Sequence, residues 1–216
     1  MRIPIWFSIL IAAAVASSGQ SLPSDINKDS LSRFPPIKRE QMDEKGKQVY
    51  DHVAGGAGKL ASPTGPASIG LYSPGVAEPM RMLNDYLRKN GVLGDRLSEL
   101  AILVAAREVD EQYVWSAHEP AALKAGVAQP VIDVIKYGKD LSGLNEKDSA
   151  VIRFGRQLFR EKKMSSDVFA KTRELFGMQG TVELTALMGD YQLNGLLLKV
   201  ADQHLPPERK PLLPPR

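Results

Sequence analysis

An all-α fold is what the sequence predicts, and three observations carry that prediction. From Pro74 almost to the end, apolar residues recur at spacings of three and four, the period of an amphipathic helix. The segments so marked are punctuated by Gly, Asn and Asp, the residues that start and stop helices. No stretch alternates convincingly like a strand, and no internal repeat has a solenoid period. With 216 residues, 43% of them hydrophobic and 25% charged, one core and one domain are the default. The net charge of +3, without a dense basic stripe, gives no electrostatic case for nucleic-acid binding.

Residues 1–18 have the outline of a signal peptide: one positive charge, an apolar run from Ile3 to Ala16, and small residues suited to cleavage after Ala16 or Ser18. The run is short for a membrane span of about 20 residues. The sequence therefore predicts export to a periplasmic or secreted address without a stable membrane anchor. Residues 19–38 are polar, with Phe34-Pro35-Pro36, and predict an extended lead-in. "REQMDEKGKQVYDHVAGG" predicts a helix carrying Met42, Val49 and Val53 and ended by Gly55 and Gly56. The following Gly-, Pro- and Ser-rich run to Gly75 predicts a long loop, either covering a pocket or simply connecting. Around Gly58 and Lys59 it superficially resembles a phosphate-binding loop, but Val53 and Leu60 stand where that motif needs Gly and Ser or Thr.

The next helix places Met80, Leu83 and Leu87 on one side and is closed by Gly91. "GDRLSELAILVAAREV" is apolar nearly all round from Leu100 to Ala106, the mark of a central buried helix. Asp110 is placed to cap the helix after it, with Pro120 near its end and Gly126 at its terminus. "AQPVIDVIKYG" predicts a short amphipathic helix, and Asn145 caps another with acids in its first turn and bases in its last. "SSDVFAKTRELFG" and "TVELTALMGDYQLNGLLLKVADQ" predict two more helices. Residues 206–216 are too proline-rich for regular structure.

Chemistry-bearing residues gather in "EQYVWSAHEPAALKAG". Glu111, Val114, Trp115 and His118 fall at 0, 3, 4 and 7 and share a helical face. Glu99, one helix earlier, sits among residues that read as buried, where an ionised carboxylate needs a partner. His118 is the natural one, since a carboxylate beside an imidazole fixes its tautomer and readies it for proton transfer near neutrality. The competing reading makes His118 a half-buried structural residue and Glu111 a solvated first-turn acid. Glu99, Glu111 and His118 are also chemically able to hold a metal, but no second clustered His supports a metal site. Glu183, Asp190 and Asn194, at 0, 7 and 11, form a polar stripe on an otherwise apolar helix that lines either a pocket or an interface, and Tyr191 is a further candidate donor. Arg96 either grips a substrate carboxylate or pairs with Glu99 or Glu111. His52 and His204 read as structural.

The order Glu99, eleven residues, Glu111, two residues, Val114, three residues, His118 resembles the signature of the carboxymuconolactone decarboxylase and alkylhydroperoxidase D-like superfamily, whose peroxidase branch has cysteines where Glu111 and Val114 stand here. Glu111, Tyr113, Trp115 and His118, with "RLSELAILVAA" and "HEPAALKAGV", are similar to the decarboxylase branch. The resemblance spans Arg33 to Pro207 and makes residues 39–205 the family-like helical domain. It implies an alkylhydroperoxidase D-like helical fold that assembles as a homotrimer or hexamer, a pocket between helices often completed by a neighbouring subunit, and cofactor-free chemistry. With no cysteine in the chain, disulfide-cycling peroxidase chemistry is excluded. What remains is lyase or isomerase chemistry on a small unsaturated lactone, enol or hydroxy acid. His118 would move the proton, Glu99 would orient it, Glu111 would relay or hold a hydroxyl, and Trp115 would form an apolar wall. Tyr113, Arg96, Asp190, Tyr191 and Asn194 would contact substrate. Asp190 departs from the family pattern, which has an aromatic residue there, and implies a more polar substrate. The alternative is an exported oligomeric binding or scaffold protein that keeps the fold without catalysis.

Overall fold

The computed structural model describes residues 22–55, 60 and 62–216; the leader-like residues 1–18 lie outside them, as do Gly58 and Lys59. Among the described residues the chain is α-helical and contains no strand. A 3-10 turn at Arg39–Gln41 leads into α1 (Glu44–Val53), followed by α2 (Pro66–Gly70), α3 (Pro74–Lys89), α4 (Gly94–Glu108), α5 (Gln112–Lys124), α6 (Gln129–Lys136) and α7 (Glu146–Arg156). A π turn at Gln157–Glu161 then connects to α8 (Ser166–Ala201).

The all-round apolar segment takes the centre, as its pattern predicts. Leu100 to Ala106 of α4 are at most 1% exposed, and α5, α7 and α8 pack around them. Gly155 allows α7 to lie so close, because a Cβ there would run into Val104 and Met188.

Several local expectations are corrected. The first helix begins only at Glu44, because the Asp43 carboxylate accepts the Gly46 N–H (2.7 Å) and fixes the start there. Met80 and Leu87 face inward as predicted, but Leu83 is 41% exposed and α3 turns Ala77 and Asn84 inward as well, so its inner stripe is partly polar. Asp110 is left-handed (φ 49°) and caps nothing, and the cap of α5 is Glu111, whose side chain accepts the Tyr113 N–H (2.9 Å). The helix continues past Pro120 to Lys124. Asn145 caps α7 as predicted. The two helices predicted beyond Ser165 form one element, α8, broken at Gly177, where φ is 70° and only glycine is at ease.

Both ends of the described chain are fastened to this core. Residues 22–33 are turns rather than an extended strand, because the Asn27 side chain accepts the N–H groups of Asp29 and Ser30; Arg33 then donates to the Ala201 carbonyl (2.7 Å). The proline-rich tail is irregular as predicted, yet Leu212 and Leu213 pack on the core, and the Leu213 N–H donates to Gln112 Oε1 (3.0 Å).

Candidate active site

Five helices leave a cavity of 180 Å³ between them, α1 contributing Val53. Pro66, Ala67 and Gly70 close one side; the stretch predicted as loop is here the short helix α2, started by Pro66 at its first position, and it does cover a pocket. Met80, Arg81 and Asn84 come from α3, Tyr113, Val114, Ala117 and His118 from α5, and Asp190, Tyr191 and Asn194 from α8.

At its inner wall the residue pair anticipated from sequence is made. His118 Nδ1 lies 2.7 Å from Glu99 Oε2. The other Glu99 oxygen accepts from Arg88 Nη2 at 2.7 Å, so one carboxylate that is only 7% exposed serves two donors. Burial alone would raise the Glu99 carboxyl, but His118 and Arg88 outweigh it and hold it below its ordinary value. An ionised carboxylate only accepts, so the proton of a neutral His118 sits on Nδ1 and the Nε2 lone pair is free. The Tyr191 ring meets the imidazole edge-to-face at 5.0 Å, and burial above all pushes the Tyr191 hydroxyl up to about 12, so it stays a donor. Arg88 and Glu99 also border a second, polar cavity of 490 Å³ behind the first, with Arg81 and Asn84 common to both.

The polar stripe of α8 divides. Asp190 and Asn194 line the cavity, whereas Glu183 faces elsewhere and accepts from the Tyr86 hydroxyl (3.0 Å) and the Val92 N–H (2.6 Å). Asp190 Oδ2 accepts from Asn84 Nδ2 at 2.8 Å, and burial pushes this carboxyl up against the opposing pull of Asn84 and Arg88. Tyr113 reaches the cavity with its hydroxyl 2.8 Å from Thr64 Oγ1.

Besides Glu99, which reaches the cavity only through His118, and Glu183, three anticipated residues lie outside it. Trp115 is fully buried on another side of α5, where its Nε1–H donates to Glu119, itself bonded to Lys136. The cavity-lining stripe of α5 is 113, 114, 117 and 118, and at 3.6 residues per turn Trp115 points about 130° away from its centre. Glu111 is spent on capping α5; burial raises its carboxyl, and Gly195 of α8 packs over it. Arg96 pairs with neither Glu99 nor Glu111. Its guanidinium grips the fully buried Asp148 with two bonds of 2.8 and 2.6 Å. Glu99, Glu111 and His118 do not converge, and among the described residues no three His, Asp or Glu side chains are grouped to hold a metal ion. His52 and His204 do not line the cavity.

Sequence reasoning missed Arg88 and Asn84. Their signal was available: Arg81, Asn84 and Arg88 fall at 0, 3 and 7 on a helix read only for its apolar residues.

With that geometry in view, likeness to known structures is informative about the fold. No protein-family model matches the chain, and no curated protein matches it. Among solved structures it is similar to a peroxidase-related protein from Ralstonia eutropha JMP134 with an alkylhydroperoxidase AhpD core, at TM-score 0.65 and 15% identity, covering 82% of this chain and 93% of that one. It is similar to the debrominase Bmp8 in complex with 2,3,4-tribromopyrrole at TM-score 0.62 and 12% identity, covering 80% and 91%. A protein of unknown function from Agrobacterium tumefaciens matches at TM-score 0.57 and 16% identity over 64% and 96%. The fold is thus the all-α AhpD-like fold.

Proposed function

We propose that this chain is a cofactor-free proton-transfer enzyme, a lyase or isomerase of the carboxymuconolactone decarboxylase-like branch, acting on a small unsaturated lactone, enol or hydroxy acid. The observation that carries it is the chain Arg88–Glu99–His118 ending at the cavity. Arg88 keeps Glu99 ionised, Glu99 holds the proton on Nδ1, and Nε2 is left to take a proton from a substrate carbon and return it to another. Tyr191 and Tyr113 stand ready to donate to a substrate oxygen that gains charge during the transfer. A debrominase of the same fold holds a one-ring ligand. Absence of cysteine makes a thiolate mechanism impossible.

Assembly as a homotrimer or hexamer belongs to the same proposal. Tyr86, Val92, Met178 and Val182 are 46%, 54%, 59% and 64% exposed, and Tyr86 and Val92 are tied to the same Glu183. On α8 itself Met178 and Val182 stand one turn apart, and exposed apolar neighbours of this kind mark interaction surfaces. Export through residues 1–18 is likewise proposed from their sequence. Among the described residues no helix is long and apolar enough to cross a membrane.

The test is hydrogen–deuterium exchange at substrate carbon, followed by NMR across a panel of lactones, enols and hydroxy acids. Exchange in the wild type that disappears in His118→Gln supports the proposal. Tight binding without exchange in any member would instead establish a binding protein, and undiminished turnover in His118→Gln would refute the assignment of His118.

A further inference from the structure

The cavity also specifies the charge of what it binds. Besides His118 and the two tyrosines, an aspartate and two arginines bear on its polar end, each in a different situation. Arg81 on the cavity wall donates Nε–H to Asp85 (2.9 Å), and Arg88 behind the wall is bonded to Glu99. The carboxylate of Asp190, 4% exposed, has a neutral partner, Asn84. An anionic ligand at this end meets Asp190. A cationic one meets Arg81 on the wall, with Arg88 behind it. A neutral ligand with a hydroxyl meets neither conflict and supplies the donor that a buried carboxylate wants, a charge-assisted O–H···O bond.

Size narrows the ligand further. A dry cavity of about 150 Å³ accepts benzene, and a water-sized group takes about 30 Å³. The 180 Å³ here corresponds to one six-membered ring with one small substituent. The rest of the wall suits a ring: Ala67, Ala77, Met80 and Val114 are apolar, and the edge-on pair of His118 and Tyr191 is aromatic.

We propose that Asp190, steadied by Asn84, is the specificity-determining residue of this site and selects a neutral, hydroxyl-bearing single-ring ligand over carboxylates and amines. This rests on the cavity being the reaction site. Within the proposed substrate classes it favours enols and hydroxyl-bearing lactones over hydroxy acids, and proton transfer over decarboxylation.

Three probes of one size test it without any turnover: benzyl alcohol, benzoate and benzylamine, titrated into the full-length protein at pH 7.5, by calorimetry and by NMR of the His118 ring. Benzyl alcohol is expected to bind at least tenfold more tightly than either charged probe and to shift the His118 resonances. Asp190→Asn is expected to shrink the preference for alcohol over benzoate by at least tenfold. The proposal is overturned if benzoate or benzylamine binds as well as the alcohol, if no probe binds, or if Asp190→Asn leaves the ranking unchanged. Because these probes have no acidic carbon-bound proton to exchange, a correct ranking combined with undiminished exchange in His118→Gln would leave the ligand class standing while removing the proposed chemistry.

Discussion

Replacing Glu99 by Gln tests the site at its most constrained point. The carboxylate accepts two hydrogen bonds, from Arg88 Nη2 and from His118 Nδ1, each at 2.7 Å. A carboxamide of the same shape has one acceptor oxygen and one donor nitrogen. If the oxygen faces His118, an NH2 is forced against the Arg88 guanidinium. If the NH2 faces His118 instead, Nδ1 must accept, the ring proton moves to Nε2, and the cavity loses its base. Either arrangement forfeits one charge-assisted bond, worth about 1.5–3 kcal/mol. Proton transfer should therefore fall roughly 10- to 100-fold at 1.4 kcal/mol per decade, and unfolding stability by about 1–3 kcal/mol. The substrate-free assay is nitrogen-15 NMR of His118, where Glu99→Gln should reduce the Nδ1–H form. Combining it with Arg88→Met removes the competing donor, lets the Gln oxygen face His118, and should restore that form in part. Since Glu99 titrates low in the folded protein, the stability gap to the variant should be full above the unfolded Glu value of about 4.3 and close as pH falls through the folded one. A Glu99→Gln protein with an unchanged tautomer, or a double variant no better than the single one, would refute the argument.

Other consequences are independent of this one. The folded pKa of Asp190 is raised by burial, so ionising it opposes folding: Asp190→Asn should increase the melting temperature at pH 7–8, and the increase should vanish below the unfolded Asp value of about 3.9. A pH-independent difference in thermal scans would contradict that sign. Arg96→Met leaves Asp148 buried at 0% exposure with only Asn145 to bond its side chain, and should lower unfolding free energy by about 3 kcal/mol in urea titrations, with the folded fraction as active as before. Val182→Glu places a charge beside the exposed Met178 on α8 and should shift sedimentation toward the monomer; an unaltered sedimentation profile would place any assembly interface elsewhere.

The fold was legible wherever one signal dominated. The run from Leu100 to Ala106 has no polar side to offer solvent, so a central position was its only outcome, and Asn145 capped as its chemistry demands. Misreadings arose where two signals competed over a few residues. Asp110 and Glu111 are both acceptable caps; the chain turns left-handed at Asp110, and the longer side chain one residue on reaches the Tyr113 N–H. The segment around Asn27 reads as polar and structureless until the side chain's two bonds to the following N–H groups are counted.

The site divides along the same line. His118 and Glu99 were legible as partners because a buried carboxylate must find a donor and the adjacent helix offers an imidazole. Trp115 and Glu111 were assigned with them because spacings of 0, 3, 4 and 7 put them on one face with His118, but the arc of α5 that borders the cavity is rotated about 80° from that face and shares only Val114 and His118 with it. A broad face says which residues turn inward, and only the neighbouring helix says whether they meet core or cavity. Here α3 decides it. Its Asn84 bonds Asp190 of α8, Arg81 borders the same cavity and Arg88 bonds Glu99, and polar groups buried in this way keep hydrogen-bond partners rather than close up as dry core. Asn84 bonded to Asp190 from one helix to the other is the direct evidence. Locating the cavity from sequence required matching two stripes on helices about a hundred residues apart, so the half of the site that fixes ligand identity was the half that a helix-by-helix reading could not assemble.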